Sequence, residues 1–257
     1  MNSIIHKESP MTIAFKQIKD KLYHNTNAFV YLIILHLIGY FFSFSTGMGF
    51  GSSGNSFEFI YRNFTPTTLY VLTILWMIMQ GFTLAEEKSR QYYMVSNNFT
   101  AYFSDIAVLE IYALIGGTLT LFSGFLLQVF GTIFMENFVL HSLYGSMGTL
   151  NYLTLFLTGT LYFLIFGTAA YLVGILRVRY QTRFALGALA AAVVIILLSI
   201  LSASILQRPI FIDVASLFRF YLEETRFFIW LIKVLLTIAA LYGLSYVSIK
   251  NMEVNRS

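Results

Sequence analysis

Cysteine is absent from the 257 residues, and only 11% of them are charged. Without thiols the chain can form neither disulfides nor thiolate metal sites, and it has no cysteine nucleophile. Soluble domains carry roughly 25% charged and roughly 45–50% hydrophobic residues, whereas 58% of this chain is hydrophobic. The composition therefore excludes an ordinary soluble domain and predicts a chain embedded in a bilayer. A net charge of +4 is too small to indicate nucleic acid binding.

The N-terminal segment, residues 1–26, has neither an apolar core nor a small-residue cleavage site, so no cleavable signal peptide is predicted. Ser9-Pro10 is typical of an N-cap followed by the first residue of a helix. One side of that helix carries Met11, Phe15, Ile18 and Leu22, and the other carries Lys16, Gln17, Lys19, Asp20 and Lys21. The pattern predicts an amphipathic helix lying in the cytoplasmic membrane surface. A solvated helix on a soluble partner is the alternative.

Six apolar runs follow, each near or above the roughly 20 residues that cross about 30 Å of hydrocarbon. They cover residues 27–44, 67–85, 106–134, 150–176, 184–206 and 227–249. We therefore expect an all-α membrane protein with six transmembrane helices behind the N-terminal amphipathic helix. Residues 27–249 form one transmembrane domain, and residues 250–257 form a tail.

Lys and Arg residues set the expected orientation, because cytoplasmic loops of membrane proteins are enriched in them. Six spans place both termini on one side. If that side is the cytoplasm, the inner segments hold eleven basic residues and the outer segments four, with Lys233 left inside the sixth run. We expect a multi-pass protein of the cell membrane with both termini cytoplasmic.

Three connecting segments carry further expectations. Residues 47–55 are rich in glycine and serine and predict a flexible outer connection. Residues 177–183 are short and basic, as expected of an inner loop. Between the fifth and sixth runs, Asp213 is predicted to cap a short helix on the outer membrane face.

The longest polar interruption is residues 86–105, EEKSRQYYMVSNNFTAYFSD. The pair Glu86-Glu87 resembles the double glutamate of CAAX-type intramembrane proteases, but that pattern needs an arginine where Gln91 stands. Its Phe-x-x-x-His companion is also missing, since Phe138 and His141 are three residues apart. No two histidines are spaced for a helical zinc site. A hydrolase is not favoured.

Residues 94–101, Met-Val-Ser-Asn-Asn-Phe-Thr-Ala, resemble the coupling-helix pattern Leu-Ser-Asn-Pro-aliphatic-Ser/Thr-Arg of ABC-2 type permeases. Ser96, Asn97 and Thr100 match it, while Asn98 replaces the proline and Ala101 the arginine. The amphipathic helix followed by six spans is similar to the family layout over nearly the whole chain. No extended outer domain is available for substrate capture.

This resemblance implies the permease subunit of an ATP-driven ABC exporter. Two permease copies pair with separate ATPase subunits, which bind ATP and Mg²⁺, so this chain needs no catalytic residue, metal or cofactor of its own. Charged residues would keep residues 86–105 in water and aromatic residues would anchor them in a partner's cleft. The predicted ATPase-coupling residues are Glu86, Glu87, Lys88, Arg90, Tyr92, Tyr93, Asn97, Asn98 and Tyr102. A plain solvated loop with interfacial aromatics is the alternative.

Three polar residues inside the spans are candidates for a substrate pathway: Lys233, Gln80 and Glu110. Lys233 lies about 9 Å into the sixth span at 1.5 Å per residue, and it could instead snorkel to the surface. The 18% aromatic content favours an amphipathic or hydrophobic cargo. Peptide export or self-protection is the first expectation, followed by lipid or polysaccharide export. A membrane scaffold or sensor that transports nothing is the competing function.

Overall fold

A computed structural model describes residues 9–46, 48–53, 56–61, 67–91, 98–134, 149–206 and 227–254. This part of the chain contains six helices and one two-stranded hairpin. In chain order they are α1 (Pro10–His24), α2 (Thr26–Thr46), β1 (Met48–Ser53), β2 (Ser56–Tyr61), α3 (Thr67–Gln91), α4 (Asn98–Phe134), α5 (Thr149–Leu206) and α6 (Phe227–Val254). The helical architecture predicted from the apolar runs is confirmed.

Long apolar helices dominate the described residues. Stretches of α3, α4, α5 and α6 are each long and apolar enough to cross a membrane. The pair α1 and α2, bent by 50°, adds a fifth if it is one broken span. These helices are those of a membrane-embedded, multi-pass protein. The described residues support four or five spans, so the expected six are not shown.

Helix α5 differs from the expectation of two spans joined by an inner loop. It runs without interruption for 58 residues, through the predicted loop at residues 177–183. The reason lies in the sequence: no glycine or proline stands between Leu176 and Phe184, and ordinary residues cost a helix at most about 0.7 kcal/mol each. At 1.5 Å per residue a straight α5 would be about 87 Å long, far beyond a single crossing of about 30 Å.

The connection after α2, which the sequence places outside the cell, is also more ordered than expected. Strands β1 and β2 pair antiparallel, from Met48 opposite Tyr61 to Ser53 opposite Ser56. Gly54-Asn55 are the two residues between them, and two-residue links of this type favour tight hairpins. The region is therefore not merely a flexible connection.

The start of α1 is the predicted one. Ser9 has extended backbone angles, and its side-chain oxygen accepts a hydrogen bond from the Thr12 N–H at 3.2 Å, with Pro10 as the first helical residue. Asn25 closes the helix by donating to the Lys21 carbonyl at 3.0 Å. The structure has a helix here, while its amphipathic character and its place in the membrane surface stay predictions.

The described residues fall into two compact units. The first comprises those within Met1–Gly81 and Met94–Ala170. Its core is aromatic: the Trp76 indole N–H donates to the Ala28 carbonyl at 2.8 Å, and its ring meets Tyr112 edge-on at 5.5 Å. Trp76, Tyr112 and Phe163 are fully buried. Because lipid offers no hydrophobic drive between helices, such packing and hydrogen bonds are what hold α2, α3 and α4 together.

The second unit comprises the described residues within Phe82–Tyr93 and Tyr171–Ser257. In it α6 buries one narrow stripe, namely Trp230, Val234, Ile238, Ser245 and Ile249. The Arg179 guanidinium donates to the Ser248 carbonyl at 3.4 Å, which ties α5 to the last turns of α6. Most other apolar side chains of α6 are exposed, as expected of a helix that meets lipid on most sides.

Candidate functional site

The predicted coupling segment begins on α3, which continues as helix past its apolar run to Gln91. Glu86 is 54% exposed and lies 3.6 Å from the Arg177 guanidinium of α5, which is 64% exposed. Glu87 is half-buried. Lys88 and Arg90 lie on helical backbone, but their side chains are outside the described part. The acidic pair therefore stands on a helix rather than in a loop.

One turn before Glu86, α3 and α5 approach each other closely. A Cβ added to Gly174 would lie 2.6 Å from the Ala85 Cβ and 3.6 Å from the Phe82 Cα. Only small residues permit two helix backbones to come this near. The charged end of α3 is thus braced on α5 by a close crossing and by the pair of Glu86 with Arg177.

The middle of the predicted segment lies outside the described residues. Tyr92, Tyr93 and Asn97 belong to it. The helix expected after Asp213, elsewhere in the chain, also lies outside the described residues. Asn98 is the first residue of α4. The last residue of the turn predicted at 96–98 is therefore helical.

Tyr102 is placed differently from the expectation. It is only 7% exposed, so its ring is packed within the chain rather than presented to a partner. Phe99 and Phe103, on the outer side of the same turns, are the exposed aromatics. The exposed aromatic surface on the first turns of α4 is therefore formed by Phe99 and Phe103 rather than by Tyr102.

Within the first unit, a buried polar group joins α1 to α4. The buried Lys21 ammonium makes an ion pair with the buried Asp105 carboxylate. It also donates to the Ser104 hydroxyl at 2.6 Å and to the Ala101 carbonyl at 3.4 Å. We call Lys21, Ala101, Ser104 and Asp105 the latch. Placing Lys21 on the polar outer side of α1 was wrong, because the first turns of α4 cover it.

The three candidate pathway residues belong to two different units. Gln80 is buried in the first unit, where Glu110 is exposed. Lys233 belongs to the second unit and is half-buried; its backbone carbonyl accepts from the Thr237 hydroxyl at 2.8 Å. A pathway that includes all three residues stays a prediction.

A polar cluster that the sequence reasoning missed lies deep in the first unit. The His36 Nδ1–H donates to the Leu32 carbonyl at 2.9 Å, and Nε2 lies 3.4 Å from the Thr120 hydroxyl and 3.5 Å from that of Thr73. The two hydroxyls are 2.8 Å apart. One imidazole thus links α2, α3 and α4. The available signal was a lone histidine within an apolar run, since ionisable residues there face the bundle interior.

Metal chemistry has no visible basis in the residues that the structure describes. Within them, no group of three or more histidine, cysteine, aspartate or glutamate side chains could hold a metal ion.

The fold is that of a multi-pass, helical membrane protein with a charged cluster near the C-terminal end of α3. Searches against family models, curated proteins and solved structures return no match. The residues of this chain are therefore the basis for any function proposed for it.

Proposed function

We propose that this chain is the membrane-spanning permease subunit of an ATP-driven exporter of the ABC-2 type. Two copies pair in the cell membrane, with both termini cytoplasmic, and couple to separate ATPase subunits. ATP and Mg²⁺ are bound by those subunits, and this chain performs no bond chemistry.

The observation that carries the proposal is the charged end of α3. An ATPase that closes on nucleotide can move a permease only by pushing on something stiff. Helix α3 continues to Gln91 as a helix, and its last turns are braced on α5 at Gly174 and Arg177. A helix held in this way transmits a displacement, whereas a solvated loop would absorb it.

The latch provides further support. It seats α1 on the first turns of α4, and these turns form the last part of the predicted coupling segment, residues 86–105. That arrangement fits an N-terminal helix and a coupling segment that share the cytoplasmic face. In the proposal, ATP binding displaces residues 86–105 and turns the cavity between the two permeases outward.

The proposed cargo is amphipathic or hydrophobic, a peptide first and a lipid or polysaccharide next. It follows from the aromatic content of 18% and from the small number of charges within the apolar helices. Tyrosine and phenylalanine offer large apolar contact area with little charge.

Co-purification tests the proposal. The chain is expressed with the open reading frames that flank it, solubilised in a mild detergent and isolated by an affinity tag. We expect a stoichiometric ATPase partner whose hydrolysis is lost, by about tenfold or more, with Glu87→Arg or Tyr93→Ala, since removing an anchoring interface residue costs about 2 kcal/mol or more.

Lys250→Glu is the matched control, because Lys250 is an exposed charge at the C-terminal end of α6 and outside the predicted coupling segment. It is expected to leave hydrolysis unchanged. Isolation of the chain without any ATPase would contradict the proposal and favour a scaffold or sensor.

A further inference from the structure

The latch is unusual for a chain with so few charges. The Lys21 side chain is 3% exposed and that of Asp105 is 1% exposed. An ammonium group has three N–H donors, and here three acceptors surround it: the Ala101 carbonyl, the Ser104 hydroxyl and the Asp105 carboxylate. Ser104 also donates to the Ala101 carbonyl at 2.7 Å. The charge is therefore fully satisfied, in one arrangement only.

Separating the pair is costly. Removing one partner of a buried ion pair strongly destabilises proteins, because the other charge stays buried without compensation. Sliding α1 along α4, or rolling it about its axis, would have the same effect. The latch therefore permits a single seating of α1.

In that seating a lysine of α1 is buried while two of its large apolar side chains are exposed. Ala14 and Lys21 are buried, Lys21 against α4, whereas Met11 is 57% and Phe15 63% exposed. In a water-soluble protein the apolar stripe of such a helix would face the core. Lys16 and Lys19 are both exposed, and Lys19 follows Phe15 by one turn. Basic side chains therefore adjoin the exposed apolar edge of Met11 and Phe15.

We propose that the latch fixes the position and rotation of α1, so that α1 and the first turns of α4 move as one body and the Met11 and Phe15 edge faces the bilayer headgroups. Asn25 alone separates α1 from the apolar helix α2, and the two helices are bent by 50°. Helix α1 therefore cannot lie far from the bilayer surface. Lys16 and Lys19 complement the phosphates of anionic phospholipid. This device does not depend on a transport function.

The test measures the depth of single residues of α1 in a membrane. Because the chain has no cysteine, Phe15→Cys and Asp20→Cys each give one spin-labelling position. The full chain is reconstituted in vesicles of phosphatidylethanolamine and phosphatidylglycerol, and collisions of the label with oxygen and with a water-soluble nickel chelate are compared.

We expect the label at position 15 to favour oxygen and the label at position 20, on the opposite side, to favour the chelate. Equal access of the chelate to both positions would overturn the proposal. So would a label at position 15 that neither reagent reaches, because a protein partner would then cover the edge.

The latch itself is tested in the same labelled chains. Asp105→Asn is expected to abolish the difference between positions 15 and 20, since Lys21 must leave the interface to reach water and α1 rolls with it. Lys21→Asp combined with Asp105→Lys is expected to restore the difference. Thr118→Val, which removes a polar group at an exposed position of α4, is expected to preserve it.

An unchanged depth difference in Asp105→Asn would contradict the proposal that the latch fixes the rotation of α1. If that variant does not fold, Ser104→Ala removes one acceptor and keeps the ion pair. It is expected to reduce the difference, and an undiminished difference would then overturn the latch.

Discussion

At the scale of single residues, small and polar side chains decide how these helices meet. The Tyr40 hydroxyl bonds with Ser123 one turn from the cluster of His36, Thr73 and Thr120. Each such bond between membrane helices contributes about 0.6 kcal/mol, and at most about 1.7. Several together hold α2 on α4 in one register.

The close crossing at Gly174 gives a prediction at this scale. Gly174→Ala brings a methyl group against the Ala85 methyl and the Phe82 backbone, and neither can swing aside. We expect the free energy of unfolding to fall by about 1–3 kcal/mol, the usual cost of overpacking, measured by denaturant titration in mixed micelles.

Gly243→Ala is the matched control on α6. An added Cβ there meets nothing within 4 Å, so the unfolding free energy is expected to stay the same or to rise slightly, because alanine favours helix over glycine. Equal losses for both variants would mean that the close crossing does not limit the packing.

Individual site residues were only partly predictable. The acidic pair at Glu86 was identified because charge inside an apolar sequence is conspicuous. The burial of Lys21 was not, because its partner Asp105 is 84 residues away and a lysine among other charged residues suggests solvent. Tyr102 has the same difficulty: local pattern predicts a helix, but not which of its sides a distant helix will cover.

At the scale of elements, hydropathy located the helices better than it located their ends. The second apolar run ends at residue 85, yet α3 continues to Gln91, because the edge of the hydrocarbon does not end a hydrogen-bonded helix. The capping signal did better: Ser9-Pro10 predicted the start of α1. Hydropathy did place the start of α6 at Phe227. The hairpin was missed although Phe57, Phe59 and Tyr61 alternate along β2, a strand signal.

Helix α5 provides the prediction at this scale. If its backbone is helical through residues 177–183, their amide hydrogens are bonded to carbonyls and exchange slowly. We expect hydrogen–deuterium exchange in detergent to show protection there at least as strong as at the last turn of α3, residues 88–91. Exchange within seconds at residues 178–183 would contradict a continuous α5 and support the inner loop that the basic residues predicted.

At the scale of the whole molecule, the number of crossings decides where the C-terminus lies. Six spans place both termini on the same side of the membrane, while five spans, with α1 and α2 as one, place them on opposite sides. The excess of basic residues in the predicted inner segments favours six. The sequence correctly predicted a helical, multi-pass membrane protein, but the number of spans needs information that helix length alone does not contain.

Labelling of intact cells separates the two counts. Cysteines introduced one at a time at positions 20 and 250 are expected to resist a membrane-impermeant thiol reagent until the cells are permeabilised. Ser52→Cys, in the predicted outer segment, is the positive control and should react at once. Reaction of position 250 in intact cells would support five spans.

The two tryptophans of the chain are divided between its compact units. Trp76 is buried in the first and Trp230 in the second. Each unit therefore carries its own intrinsic fluorophore: emission in a Trp230→Phe background reports the first unit alone, and emission in Trp76→Phe reports the second. With these two optical signals, one can ask whether the units unfold together or in sequence without attaching any dye.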